Sequence, residues 1–195
     1  MKKDIRFDKR ATKYDNGIEG FLSQRFYNDL LDNVILSPGN CVLDVGCGTG
    51  TFLNRLSNNG TKISCYGIDY SKNMIWEAEK KYPQMNFCVG NSKELPYEDA
   101  TMDVVITCMA YHHFEDQKAF RKEAFRILKP CGELYVCDPK FPAFLSYVFN
   151  SVFRLSKTAA RFYNKDEYIL DFTLEGFTFH KYFEDSYVQI INFKK

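Results

Sequence analysis

From residue 41 to residue 138, short apolar runs alternate with stretches of helical spacing, and few folds accommodate that alternation. Apolar runs at 41–45, 63–68, 86–89, 103–110 and 133–137 read as strands. Residues 49–57, with Phe52, Leu53 and Leu56 on one side, and the segment holding Met74, Ile75 and Ala78 read as helices, the second capped by Ser71. Residues 117–128 carry Phe120, Ala124, Ile127 and Leu128 as one buried stripe, and Lys129-Pro130-Cys131-Gly132 stops that helix before the next strand. Such alternation specifies an α/β fold, a mostly parallel sheet with helices on both faces. The run 103–110 is the most apolar and belongs at the sheet centre.

The flanks break the alternation. Ahead of the sheet, Phe7, Ala11 and Tyr14 mark one helical pattern, and Leu22, Phe26 and Leu30, with Val34 beyond, mark another. After Asp138-Pro139 comes an aromatic-rich stretch at 141–155, then a helix near 165–175. Two closing runs, 177–183 and 187–193, are joined closely enough to require an antiparallel hairpin. A chain of 195 residues fits one domain, divided into N-terminal lid helices (1–36), a binding core (41–138), a substrate lid region (139–175) and the closing hairpin (176–195).

Net charge of +1 gives no electrostatic reason to expect nucleic acid as a partner. The seven cysteines form no C-x-x-C pair and no metal-ligand spacing; Cys41, Cys65, Cys88, Cys108 and Cys137 lie in or beside apolar runs and read as small buried hydrophobes in a reducing, cytoplasmic compartment. The charged start is not a secretory signal, and no apolar run approaches the ~20 residues of a membrane span. Aromatic residues at 16% suit either a well-filled core or an apolar substrate cavity.

The segment Val42-Leu43-Asp44-Val45-Gly46-Cys47-Gly48-Thr49-Gly50 carries most of the functional information. A strand running into closely spaced glycines and then a helix brings bare backbone beside a ligand, where a Cβ would obstruct it. The spacing G-x-G-x-G puts Thr51 where the dinucleotide fingerprint requires its third glycine. Asp44 would repel a pyrophosphate at that loop, whereas S-adenosylmethionine (SAM) offers an ammonium and a sulfonium. Asp69, ending the second strand, suits a pair of ribose hydroxyls. Capping of the next helix is its plainer reading.

With these residues in view, the chain resembles the class I SAM-dependent methyltransferases, particularly the small-molecule group of ubiquinone/menaquinone-biosynthesis methyltransferases. The matching segments are VLDVGCGTG, YGIDYSKNMI, VGNSKELPYEDATMDVVI, YHHFED and EAFRILKPCGELYV. The resemblance implies a Rossmann-like sandwich with a seven-stranded sheet in the order 3-2-1-4-5-7-6, its seventh strand antiparallel. It implies that Asp44, Gly46, Cys47, Gly48 and Gly50 surround the methionine part of SAM, with Leu53 at the same edge. Asp69 would hold the ribose, Tyr70 and Met74 would pack near the adenine, and Asn91-Ser92 would face its amine. There Asn91 replaces a more usual acid and keeps an acceptor oxygen. Cys108 ends the fourth strand, near the place of the methyl group. In similar proteins an N-terminal Tyr-Asp segment closes over the cofactor, a role that falls to Tyr14 here, with helix packing as its alternative.

Methyl transfer uses a donor already activated by its sulfonium, so a catalytic signature is not required. Tyr111, His112 and His113 follow the central strand and are the candidate catalytic residues. No Asn-Pro-Pro-Tyr-like motif follows Cys108, which argues against methylation of DNA bases or glutamine. Phe144, Leu145, Val148, Phe149, Val152 and Phe153 make an apolar surface on a helix. It serves to complete the core, to wall a pocket for a lipophilic acceptor, or to pair subunits, and the first is the expected use. The expected function is methyl transfer to a small-molecule acceptor. The alternatives are a non-catalytic SAM-binding sensor or partner subunit and an NAD-dependent oxidoreductase.

Overall fold

In the computed structural model, which describes residues 8, 10–155 and 160–195, the apolar runs become strands β1 (Cys41–Val45), β2 (Ser64–Asp69), β3 (Asn86–Val89), β4 (Met102–Cys108), β5 (Leu128–Pro139), β6 (Thr178–Asp185) and β7 (Val188–Lys194). They form one sheet in the order β3-β2-β1-β4-β5-β7-β6. β1 through β5 pair in parallel, and β7 is antiparallel to both of its neighbours. This is the strand order of the Rossmann-like methyltransferase fold.

Alternation along β4 divides the core. Val104, Ile106 and Cys108 join Val42, Tyr135 and Cys137 on one face, beneath α1 (Ile18–Asn33) and α2 (Thr51–Ser57). Val105 joins Leu43, Leu134 and Val136 on the other, beneath α4 (Gln117–Ile127) and α6 (Lys165–Thr173). Because the sheet is covered on both faces, β4 reads as a continuous apolar run. α3 (Lys72–Lys81) is capped as expected: the Ser71 side chain accepts from the Met74 N–H at 3.2 Å.

Four sequence expectations are corrected. The helix expected over 49–57 begins at Thr51, because Gly48 and Gly50 have positive φ and belong to the loop. The Lys129–Gly132 tetrapeptide does not precede β5 but lies within it. Its register against β4 jumps from Met102↔Leu128 to Val104↔Glu133, with Cys131 at φ 65°. In α1, Phe26 and Leu30 are buried but Leu22 is 45% exposed, and Gly20 and Ser23 take the inner positions of the first turns. A Cβ on Gly20 would stand 2.4 Å from the Asp15 carbonyl oxygen, so the turn before the helix admits only glycine there. Finally, α5 (Ala143–Leu155) contributes no buried residue and does not complete the core. Phe7, expected to anchor the first helical pattern, lies outside the described residues.

Candidate functional site

The site forms where β1, β2, β4 and β5 end. Gly46 and Cys47 donate their N–H groups to the Ile68 carbonyl at 2.8 and 3.1 Å, binding the glycine loop to β2. Gly46, Gly48 and Gly50 have φ of 83°, 54° and 75°, a region disfavoured for residues with a Cβ. At Gly46 a Cβ would collide with that of Ala110, at 2.4 Å, whereas at Gly48 it would meet nothing within 4 Å. The backbone at Gly48 therefore borders open space.

Asp44 and Asp69 flank this loop. Asp44 is 2% exposed, and its Oδ1 has no hydrogen-bond partner. Burial, with the nearby Asp69 charge, pushes its carboxyl up to about 8. Asp69 accepts from the Gly48 N–H at 2.9 Å through Oδ2 and from the Ser71 N–H at 2.8 Å through Oδ1. Burial raises its carboxyl, and these N–H groups oppose the rise. Asp69 thus ties the loop to the turn before α3, while Ser71, not Asp69, caps the helix.

Tyr14 and Tyr27 approach from the N-terminal side. Burial raises both phenols, and Ser23 and Cys108 are among the groups that act on each. Asp44 is among the charges that act on Tyr27 and on the deeply buried Cys108 thiol. The segment leading into α1 is tied down by Asp15, which accepts from Thr49 Oγ1 at 2.7 Å and Thr51 Oγ1 at 3.1 Å. Asp8 holds α3 through the Ser71 hydroxyl and Asn73 Nδ2.

The other expected cofactor residues divide into two groups. Cys47 is buried beside Gly67, with Asp44 and Asp69 near its thiol. Tyr70 is exposed, and Asn91 and Ser92 are half-buried at the rim. Asn91 Oδ1 accepts from the Lys93 N–H at 3.1 Å, and the adjoining Gly90 N–H binds the Asp69 carbonyl. Leu53 and Met74 are buried beneath the rim, Leu53 within the core cluster of Phe52 and Leu56.

The three candidate catalytic residues occupy one 3₁₀ turn, Tyr111–His113, and separate there. Tyr111 turns inward and is wholly buried, packed against Phe114, Phe120, Tyr163, Tyr168 and Phe172. Its hydroxyl accepts from Arg121 Nη1 at 2.8 Å, which makes it a core residue rather than a catalytic one. His112 meets Asp138, which sequence reasoning had passed over. Its Nδ1 lies 2.9 Å from Oδ1, and Oδ2 accepts from the His112 backbone N–H at 3.0 Å and the Tyr168 hydroxyl at 2.9 Å. Nδ1 faces the fully buried Asp138 carboxyl group, an arrangement that suits the tautomer with its proton on Nδ1 and its lone pair on Nε2. The His113 ring lies 4.0 Å from that of His112. The available signal for Asp138 was positional: like Asp44 and Asp69, it is an acid at the C-terminal end of a parallel strand.

Beyond β5 opens a cleft of about 950 Å³, bordered by Phe141, Asn150, Arg154, Phe162 and Gln189. Gln189 is buried and its Oε1 is without a partner. Phe162 belongs to both places, since its ring packs 5.1 Å from that of His112.

Comparison with known proteins agrees with this geometry. Residues 43–136 match the family described as methyltransferase domain. A demethylmenaquinone methyltransferase of Lysinibacillus sphaericus (strain C3-41) is 34% identical over 138 residues, 67% of this chain and 58% of that protein. A probable S-adenosylmethionine-dependent methyltransferase of Mycolicibacterium smegmatis is 34% identical over 101 residues, 52% of this chain and 38% of its own length. The chain thus spans less than two thirds of these relatives. Among solved structures, a SAM-dependent methyltransferase from Aquifex aeolicus superposes with a TM-score of 0.74 at 22% identity, covering 96% and 97% of the two chains. A Haloferax volcanii complex of the Trm112 methyltransferase activator with a putative methyltransferase gives 0.81 at 19% identity, covering 96% of each chain.

Proposed function

Since the chain carries a class I SAM-dependent methyltransferase domain, we propose that it transfers a methyl group from SAM to a small, lipophilic acceptor. The observation that carries this reading is the orphaned Asp44 carboxylate beside the open backbone of Gly48. A buried acid without a partner is costly unless a cation arrives to meet it, and a pyrophosphate would make the cost worse. The residues present therefore fit SAM and disfavour NAD. When bound, SAM supplies a methyl group activated by a sulfonium.

Each residue then has a physical task. Asp44 takes the cationic end of the ligand. Asp69 keeps one lone-pair direction on each oxygen beyond its two backbone partners, enough for two ribose hydroxyls. Tyr14 and Tyr27 present aromatic surface near a positive centre, worth up to about 2 kcal/mol where water is excluded. The acceptor enters by the cleft beyond β5, and His112 Nε2 removes its proton. Asp138 orients the ring and stabilises the imidazolium that results. The name of the Lysinibacillus relative supports a lipophilic acceptor.

The test is incubation of the protein with methyl-labelled SAM and an organic-solvent extract of cellular metabolites. Label should move into the organic phase. Tight SAM binding without transfer would favour a sensor, and preferential binding of NAD would overturn the assignment altogether.

A further inference from the structure

Four basic and three acidic side chains of the described residues border the cleft beyond β5, and their pairing leaves one cation over. Lys140 pairs with Glu184 at 2.7 Å, and Arg161 with Glu167 at 2.9 Å. Lys165 and Asp166 are consecutive in the first turn of α6, and the Lys165 ammonium lies 4.8 Å from the centre of the Tyr182 ring. Arg154 is what remains. Among the described residues it makes no hydrogen bond, ion pair or ring contact, although it stands on the cleft wall.

α5 aims this cation. Ser146, Asn150 and Arg154, four residues apart, form one stripe of the helix, and all three border the cleft. Asn150 fixes that orientation: its Nδ2 donates to the Phe162 carbonyl at 2.9 Å, and its Oδ1 accepts from the Phe162 N–H at 2.8 Å. Phe162 in turn packs its ring 5.1 Å from that of His112, and the neighbouring Arg161 N–H donates to the His112 carbonyl at 2.9 Å. The candidate base, the Phe162 ring and the stripe of α5 are thus joined by direct contacts, with Arg154 about 6 Å past Asn150 along the helix. Phe141 meets Phe162 edge-on at 4.7 Å and extends the aromatic wall. A ligand whose body lies on these rings brings its far end to Arg154. A guanidinium takes an oxyanion through two parallel N–H bonds, and one unmatched positive charge suits one negative charge. A carboxylate meets both conditions, whereas a phosphate monoester carries nearly two charges.

We infer that the cleft takes an aromatic carboxylic acid, with Arg154 the specificity-determining residue that receives the carboxylate, and that the methyl acceptor is such an acid. The inference rests on the proposed methyl transfer for the ligand's role as acceptor, but binding of an acid at Arg154 requires no turnover. The first experiment is calorimetric titration of the full chain with benzoate, 2-naphthoate and 4-biphenylcarboxylate, each against its uncharged amide. The acids should bind at least about tenfold more tightly than the amides. Arg154→Gln should erase that preference, and Arg154→Lys should restore part of it, as a point charge without the planar fork. Arg154 is exposed, so the melting temperature should hold in both variants. Equal binding of acid and amide across the three pairs overturns the inference, as does a preference that Arg154→Gln leaves intact. A second experiment separates it from the proposed reaction. After incubation with methyl-labelled SAM and a metabolite extract, a labelled acid should enter organic solvent at about pH 3 and stay in water at about pH 9. Label that extracts equally at both leaves methyl transfer standing and overturns the inference. Absence of any transfer defeats the proposed reaction, and the comparison of acids with amides then decides alone whether Arg154 reads a carboxylate.

Discussion

Asp44 is where one side chain governs the behaviour of the ligand-free molecule. Its folded pKa is raised to about 8, so between the ordinary carboxylate range and pH 8 the native state holds a proton that the unfolded chain has lost. Stability therefore falls as pH rises through that window, by up to about 1.4 kcal/mol per pH unit, and levels off above it. Asp44→Asn should abolish this slope, as urea melts of both proteins at pH 5 and pH 8 would reveal. Binding of a cation demands the ionised form. Calorimetry of SAM at pH 7 in buffers of different ionisation enthalpy should then show release of about one proton, absent in the variant. Affinity should drop by about 2 kcal/mol or more. Asp44 and Asp69 were legible in the sequence because strand-end acids beside a glycine loop have few other uses. Tyr27 and Asp138 were not. Tyr27 sits on the stripe of α1 next to the one hydrophobicity marks, and Asp138 meets His112 only because β4 and β5 pair side by side.

The elements of the alternating core were legible throughout, since burial on both faces imprints continuous apolar runs. The flanking helices were less so, because their packing is set by neighbours the local pattern does not name. Gly20 replaces the expected Leu22 through a contact with the preceding turn, and α5 turns its apolar side outward. The segment before α1 depends on polar ties. Ala11 is buried there, and Asp8 and Asp15 supply hydrogen bonds to α3 and the glycine loop. Segments with few apolar anchors open at low free-energy cost, which suits a lid. Hydrogen exchange near Tyr14 should slow when SAM is added; equal protection before and after would make the segment ordinary scaffold. Asp15→Ala should speed that exchange in the ligand-free protein while leaving β4 amides unaffected.

For the whole molecule, the decisive feature is that β6 reaches the sheet only through β7. Ile191, fully buried against the α4–α6 side, should be an Achilles position: Ile191→Asp would bury an unpaired charge and cost about 4 kcal/mol. Limited proteolysis should then cut β6 and β7 together while the binding core, β1 through β5, resists longer. The order of strands also dictates an order of events. During synthesis β6 emerges first, yet it has no place to pair until the strand made after it has joined β5. Until then β5, with Leu134 and Val136, is the open border of a nascent sheet, adhesive toward any extended chain nearby. The protein is thus most vulnerable to misassembly in the interval between leaving the ribosome's shelter and laying down its inner hairpin strand.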